Sequence, residues 1–404
     1  MILDSYIIIT QNNRRDIFFG SLVIKNGRIS KIIEKDLDIR KIRGVISPGF
    51  INIHAHLGEL FFRGNWPKIN LPRYIKETEK INSAIKDKES FRAIIARVTL
   101  SEMISNGTTT VVGGRTSDAQ KFFGINGISF VPFMKTDKLQ KFYQLSEKEI
   151  KKATREQPGI FIHSLKYIDP EKLQSLAKVI KEKKLFLAIH TSEDPIEYQD
   201  FKEEHGMTEV QLLDSIGLIN DKTILIHCNN CSPEDMKIIE KKKANIVTCP
   251  ISNQRLSGKL LSIDNLLKNN NISISTDGPA TNDSLDLLPE VKFSFLNNNK
   301  LSSQDLFDTV TRNPAKAIGK FNEVGSIEVG KFADLVIFDY NSRLFPIKNL
   351  VNNLVLTAPT IRSVVSKGKY IFKDHDFVKE YNNIIKEYLV KLEYIYEETT
   401  SSIN

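Results

Sequence analysis

Apolar and polar positions alternate along this chain in two rhythms. Short apolar, β-branched runs fall at residues 45–56, 108–113, 128–133, 160–165, 185–191, 223–228, 245–250 and 272–277. Segments with helical spacing lie between most of them, at 88–105, 147–156, 170–182, 208–216, 233–243 and 260–269, and two more follow the last run at 286–297 and 303–318. Asp169-Pro170-Glu171 and Ser232-Pro233-Glu234 read as helix starts, with proline where its missing N–H costs no hydrogen bond. Eight strands joined by crossover helices predict an α/β fold, a closed (β/α)8 TIM barrel.

The two ends keep a different rhythm. Residues 1–44 read as short strands and turns, with Asn26-Gly27 as a two-residue hairpin turn, and "GSIEVGKFADLVIFDY" and "IRSVVSKGKYIFKD" near the C-terminus read alike. Both flanks are expected to pair into one small β-sandwich. The expected organisation is a composite sandwich from 1–48 and 325–375, a barrel over 49–324 and a charged helix over 376–404.

Bulk properties narrow the partners. The net charge is +8, but acids are interspersed among the lysine runs and no aromatic–basic stripe occurs. The runs therefore read as solvated helix faces, not as a nucleic-acid or membrane surface. No stretch approaches the ~18 apolar residues of a membrane span. The start, "MILDSYIIIT", lacks the basic segment and longer apolar run of a signal peptide. The odd set Cys228, Cys231 and Cys249 builds no disulfide framework and suits a reducing compartment. The expectation is a cytoplasmic protein acting on a small molecule, with a homo-oligomer left open.

Candidate chemistry comes from the histidines. Five of the seven, His54, His56, His163, His190 and His227, fall near the C-terminal ends of predicted barrel strands, the face where barrels carry chemistry. In "VISPGFINIHAHLG", His54 and His56 are two residues apart and so share a strand face. Alone, such a pair is readily explained as hydrogen-bonded core histidines. His190 at the end of the fifth strand and Asp277 at the end of the eighth complete a three-nitrogen, one-oxygen set for one divalent metal ion. Zn2+ suits that set best, with Fe2+ as the alternative. Glu193, three residues after His190, and His227, ending the sixth strand, stand where proton transfer to and from substrate and water is needed. Asp277 is expected to serve also as proton acceptor.

These motifs resemble the amidohydrolase superfamily, and within it the branch of chlorohydrolases and of cytosine and nucleoside deaminases. "PGFINIHAH", His190 with Glu193, His227, "STDGPATNDSLDLL" and "GKFADLVIFD" carry the resemblance over nearly the whole chain. It implies a single metal on His54, His56, His190 and Asp277, with Glu193 and His227 as acid–base residues. "FFRGNW", "SNQRLSGK" and His163-Ser164 are similar to segments of S-adenosylhomocysteine/5′-methylthioadenosine deaminases. By that likeness His163, Arg63, Glu79, Trp66 and Asn282 are candidates for substrate contact. The pattern departs from the family after the third strand. The family has two arginines for the homocysteine carboxylate there; "FMKTDKLQKF" offers only Lys135, Lys138 and Lys141. That counts against S-adenosylhomocysteine itself and leaves smaller nucleosides open.

Other signals weigh less. "HCNNC" at 227–231 looks like half a zinc knuckle but has no second half. The zinc nucleobase-deaminase pattern H-x-E with P-C-x-x-C is absent. Lys166 near the fourth strand raises a binuclear alternative, against which the Glu193 spacing argues. The expected activity is metal-dependent hydrolytic deamination of an adenosine-type nucleoside, releasing ammonia. The alternatives are a cyclic amide hydrolase or chlorohydrolase using the same site, and a non-catalytic barrel with a structural metal.

Overall fold

A computed structural model of the chain describes residues 1–36, 38–66, 68–85, 88–114, 116–133, 158–168, 170–282 and 284–401. The lysines at 135, 138 and 141 and the helix expected at 147–156 lie outside the described residues.

Two eight-stranded sheets organise the chain. The first runs in chain order and is parallel throughout: β5 (Phe50–Asn52), β6 (Thr108–Gly114), β7 (Asn126–Phe133), β8 (Gly159–Ile162), β9 (Phe186–Thr191), β10 (Thr223–His227), β11 (Asn245–Thr248) and β12 (Asn271–Ile274). Its ladder stops between β12 and β5. There the segment 309–310 fills the gap: Ile51 N–H donates to the Val310 carbonyl at 2.9 Å, and Ile274 N–H donates to that of Thr309 at 3.0 Å. Exposed edge groups are thereby satisfied and the barrel is closed in effect. Higher up, Asn52 Nδ2 donates to Thr276 Oγ1 at 2.7 Å and Ile53 N–H to Ser275 Oγ at 3.2 Å. These contacts bring the end of the last strand against the end of the first.

Ile51, Ile53, Val112, Phe130, Phe161, Ala188, Ile226 and Val247 form one buried cluster. Val111, Ile160, Ile162, Leu187, Ile189, Leu225 and Ile246 belong to another, which takes in the flanking helices. The split follows the two faces of each strand.

The second sheet has the order β16-β15-β14-β13-β4-β1-β2-β3, with β1 (Ile2–Ile9), β2 (Ile17–Lys25), β3 (Arg28–Glu34), β4 (Val45–Pro48), β13 (Leu335–Phe338), β14 (Ile361–Ser366), β15 (Lys369–Lys373) and β16 (Asp376–Phe377). Asn26 (φ 50°) and Gly27 (φ 77°) make the expected hairpin turn between β2 and β3. The sheet curls until that turn meets the other end: Ala333 N–H donates to the Gly27 carbonyl at 2.9 Å, and Gly368 N–H to that of Ala333 at 3.0 Å. Leu3, Ile8, Leu22, Ile46, Leu335 and Val365 pack inside it.

The run 45–56 is not one strand, contrary to the pattern reading. It breaks at Pro48-Gly49, with β4 in the curled sheet and β5 in the barrel. A side chain at Gly49 would meet Thr109 Oγ1 at 2.1 Å, so only glycine fits this crossing. The helix expected at 303–318 is likewise two, Ser303–Asp308 and Arg312–Ala317. The break supplies the two carbonyls that close the barrel. At 260–269 there are turns instead of a helix. Side chains hold that backbone: Asn298 Oδ1 accepts from Ile263 N–H, and the Asp264 carboxylate accepts from Asn299 and Lys300 N–H.

Three helices that the pattern left as loop sit beside the upper rim: Leu71–Ala84, Pro195–His205 and Pro250–Leu256, each with proline in its first turn. The C-terminal helix Lys379–Ser401 lies across Lys88–Ser105 and reaches the loop after β5. There Tyr396 packs on Phe61 with ring centroids 5.0 Å apart, and its hydroxyl donates to Asn65 Oδ1 at 3.0 Å. No helix among the described residues is long and apolar enough to cross a membrane.

Candidate active site

Barrel strands end at the upper rim in polar residues whose backbones leave the β region. Ser192, His227, Cys228 and Asp277 all have positive φ, at 50°, 75°, 54° and 60°. Each such residue other than glycine costs roughly 1–2 kcal/mol. At these strand ends that strain turns side chains away from the direction a regular strand would give them. β5 ends at Asn52, and the extended segment beyond it carries His54 and His56.

Four side chains converge there. His54 Nε2 and His56 Nε2 each lie 3.2 Å from Asp277 Oδ1, and His190 Nε2 lies 3.3 Å from His54 Nε2. Ligand atoms held about 2.0–2.1 Å from a single ion in a tetrahedron stand about 3.3 Å apart. The donor set therefore fits one divalent metal by spacing and by chemistry. His54, His56 and His190 together, and His54, His227 and Asp277 together, are close enough to share an ion. Burial pushes the His54 and His190 rings toward the neutral, ligating form, His190 far down. Burial also acts to lower His56, but Glu59, Asp277 and Glu193 overcome it and lift that ring to about 9. That excess of negative charge is what a cation would neutralise.

Asp277 is held from behind. Ser252 Oγ donates to its Oδ2 at 2.6 Å and Thr281 Oγ1 at 3.2 Å, leaving Oδ1 to the histidines. Burial alone would raise its pKa; hydrogen bonding from His54 and His56 holds it well below the usual carboxylate range instead. We predict that Ser252→Ala lowers metal affinity about 10-fold, at the mild end for a residue that orients a ligand. Equilibrium competition with a chelator measures it, with Thr281 compensating in part.

Glu193 and His227 stand beside this cluster. His227 Nε2 is 3.5 Å from Glu193 Oε2, and His227 Nδ1 is 2.8 Å from Asn253 Oδ1. Burial raises the Glu193 pKa well above the carboxylate range, with Asp277 and Glu197 adding to it, and burial lowers His227 to about 4. The loop carrying Glu193 is pinned: Asn230 Nδ2 donates to the Ser192 and Glu193 carbonyls at 3.1 and 2.9 Å, and Ser192 N–H donates to Glu209 Oε2 at 2.6 Å. His163 follows β8, with its ring centroid 4.8 Å from that of His190. A cleft opens beside these groups, with Leu71, Ile75, His163, His190, Glu193 and Tyr198 in its wall.

The other expected substrate contacts are placed differently. Arg63 is engaged bidentately by Glu102 at 2.8 and 2.9 Å, and Glu102 Oε1 also accepts from Leu285 N–H. Asn282 is buried, donating to the Thr276 carbonyl at 2.6 Å and to Glu290. Trp66 stacks on Phe62 and meets Tyr74 edge-on. These three brace the rim. Glu79 is exposed on Leu71–Ala84 and is not in the cleft wall. Lys166 is exposed on the turn after β8, with Nζ 3.5 Å from Glu197. Pattern reading missed Ser252, Asn253, Asn229, Asn230 and Thr281. Their signal is a run of small polar residues between a strand end and a helix start, in "HCNNC", "CPISN" and "GPAT", where buried polar groups must find partners.

Residues 45–371 match the Amidohydrolase family. The chain belongs to it. This amidohydrolase is 28% identical over 382 residues to 5-methylthioadenosine/S-adenosylhomocysteine deaminase of Thermoanaerobacter pseudethanolicus, covering 88% of each chain. It is 27% identical to 5′-deoxyadenosine deaminase of Methanosphaera stadtmanae, covering 88% of this chain and 90% of that one. In fold it is similar to an adenosine deaminase from Xanthomonas campestris with bound zinc (TM-score 0.85, 19% identity, 97% and 98% covered). It is equally similar to an atrazine chlorohydrolase from Arthrobacter aurescens complexed with zinc (TM-score 0.85, 18% identity, 98% and 99% covered). The fold agrees with the expected (β/α)8 barrel and a small β domain built from both chain ends, the expected sandwich being one curled sheet.

Proposed function

We propose that this amidohydrolase is a zinc-dependent hydrolytic deaminase of adenosine-type nucleosides modified at the 5′ position. One observation carries the reading: Glu193 and His227 stand 3.5 Å apart at the edge of the His54, His56, His190 and Asp277 cluster. A purely structural metal site needs neither. Relatives named as deaminases of 5′-methylthioadenosine, S-adenosylhomocysteine and 5′-deoxyadenosine, matched over about nine-tenths of their length, support the substrate class.

His54, His56, His190 and Asp277 would hold the ion, which when bound makes water nucleophilic near neutral pH. His227 holds the attacking water in line, accepts a proton from it and passes that proton to Glu193 after Glu193 has given up its own, across the 3.5 Å between them. Glu193 delivers a proton to the ring nitrogen beside the amine-bearing carbon. A C–O bond forms there, the C–N bond breaks, and ammonia leaves from the tetrahedral carbon with the ring carbonyl remaining. Asp277 Oδ1 faces the same space and receives the second proton of the water for transfer to the departing amine. His163 stands at the cleft wall to meet the base from the other side.

The test is ammonia release by zinc-loaded protein from 5′-deoxyadenosine, 5′-methylthioadenosine, S-adenosylhomocysteine, adenosine, cytosine and a chlorinated triazine. The first two should give the highest kcat/KM, and S-adenosylhomocysteine a lower one. Chloride release from the triazine without nucleoside turnover would replace deamination by the chlorohydrolase reading.

A further inference from the structure

His227 can act as described only if its Nε2 carries a lone pair, and a neutral imidazole has two tautomers. We infer that Asn253 sets this tautomer, resting on the reading of His227 as an acid–base residue. Asn253 is wholly buried on the helix Pro250–Leu256. That helix start is fixed by Ile251 N–H donating to Glu290 Oε2 at 3.0 Å and Asn253 N–H donating to the Cys249 carbonyl at 2.8 Å. Two acceptors sit on the nitrogen side of the Asn253 amide: Asn229 Oδ1 at 2.9 Å and Thr248 Oγ1 at 3.2 Å. The amide oxygen is therefore turned to His227 Nδ1, 2.8 Å away. An oxygen at that distance accepts, so the proton of the neutral ring belongs on Nδ1. Nε2 is left bare, facing Glu193.

The motif "HCNNC" acquires a purpose in this arrangement. Its first asparagine, Asn229, orients the amide that orients His227, and its second, Asn230, ties down the Glu193 carbonyl. One turn thus sets both acid–base side chains. Asn229 Nδ2 is buried and has no hydrogen-bond partner among the described residues. That spare donor makes a discriminating test. In Asn253→Asp a carboxylate oxygen still accepts from Nδ1, and Asn229 can rotate its amide to offer Nδ2 to the other oxygen. If instead the Asn253 amide were donating to Nδ1, the same change would remove the donor altogether.

The experiment uses zinc-loaded protein labelled with 15N-histidine, with His227 assigned by comparison with His227→Gln. The expected spectrum shows a protonated Nδ1 and an unprotonated Nε2 at His227. With 5′-deoxyadenosine, Asn253→Leu should lose about 100-fold in kcat with KM within about twofold and zinc retained, whereas Asn253→Asp should stay within about tenfold of the parent. A proton on Nε2 overturns the inference. So does an Asn253→Asp protein that is folded, zinc-loaded and as slow as Asn253→Leu. If no nucleoside is turned over, the functional reading fails while the 15N spectrum still decides the tautomer.

Discussion

Glu193→Gln is expected to lower kcat by at least about 1,000-fold while the protein keeps its full complement of metal. The carboxyl is not one of the four expected ligands but lies near His190 and His227 in the cleft wall. Glutamine has nearly the same shape, so the loop pinned by Asn230 through the Glu193 carbonyl should not move. What disappears is the exchangeable proton. General acid–base groups contribute about 10²–10⁴ in rate, and this one is asked to protonate the ring as the water attacks. Metal content by atomic absorption and kcat on 5′-deoxyadenosine check the two halves separately. Loss of metal would make Glu193 a ligand; unchanged turnover would remove it from the chemistry.

The candidate cluster was more legible in the sequence than the braces around it. His54, His56, His190 and Asp277 stood out because scarce residue types recurred at strand ends, and strand order made the first and last strands neighbours. Two particulars were beyond pattern. Ile51 and Ile53 pack together in the barrel's buried cluster, so strict alternation through residue 56 would turn His54 to the other face. The strand ends at Asn52, and His54 and His56 converge on Asp277 only because the extended segment beyond is re-aimed. His227 is likewise turned by its positive φ. Periodicity describes regular backbone, and the side chains of the candidate site are delivered by its interruption.

Of the expected substrate contacts, Arg63 and Asn282 are engaged by neighbouring protein groups for a related reason. Arg63 and Asn282 have the chemistry of ligand-binding groups, but the same chemistry closes a barrel rim. Arg63 clamps Glu102, which in turn holds the Leu285 backbone, and Asn282 ties Thr276 to Glu290. Residue type alone does not distinguish a hydrogen bond to substrate from one to a neighbouring loop. The split at Pro48-Gly49 was legible as a Pro-Gly pair. The two-part helix at 303–317 was not, because its purpose is a pair of carbonyls offered to the barrel gap, a demand set entirely by residues far away in sequence.

Removing the metal should have the largest effect on the molecule as a whole. Without a cation, Asp277 and three crowded imidazoles face one another at 3.2–3.3 Å with only protons to balance them. Chelation is expected to reduce turnover to background and to lower the melting temperature by several degrees. Bound ion stabilises only the folded state, by about 4 kcal/mol when free metal is 1,000 times its dissociation constant. His190→Ala should shift both properties in the same direction at stoichiometric metal, because it removes one of the four expected ligands, while His54, His227 and Asp277 remain close enough to hold a residual ion. Titrating Zn2+ back into the stripped parent separates the mononuclear reading from its rival. Recovery that saturates at one ion per chain is the expected result. Saturation at two would bring the second metal back into consideration, and full activity in the stripped protein would leave the His–Asp cluster without a role in the reaction.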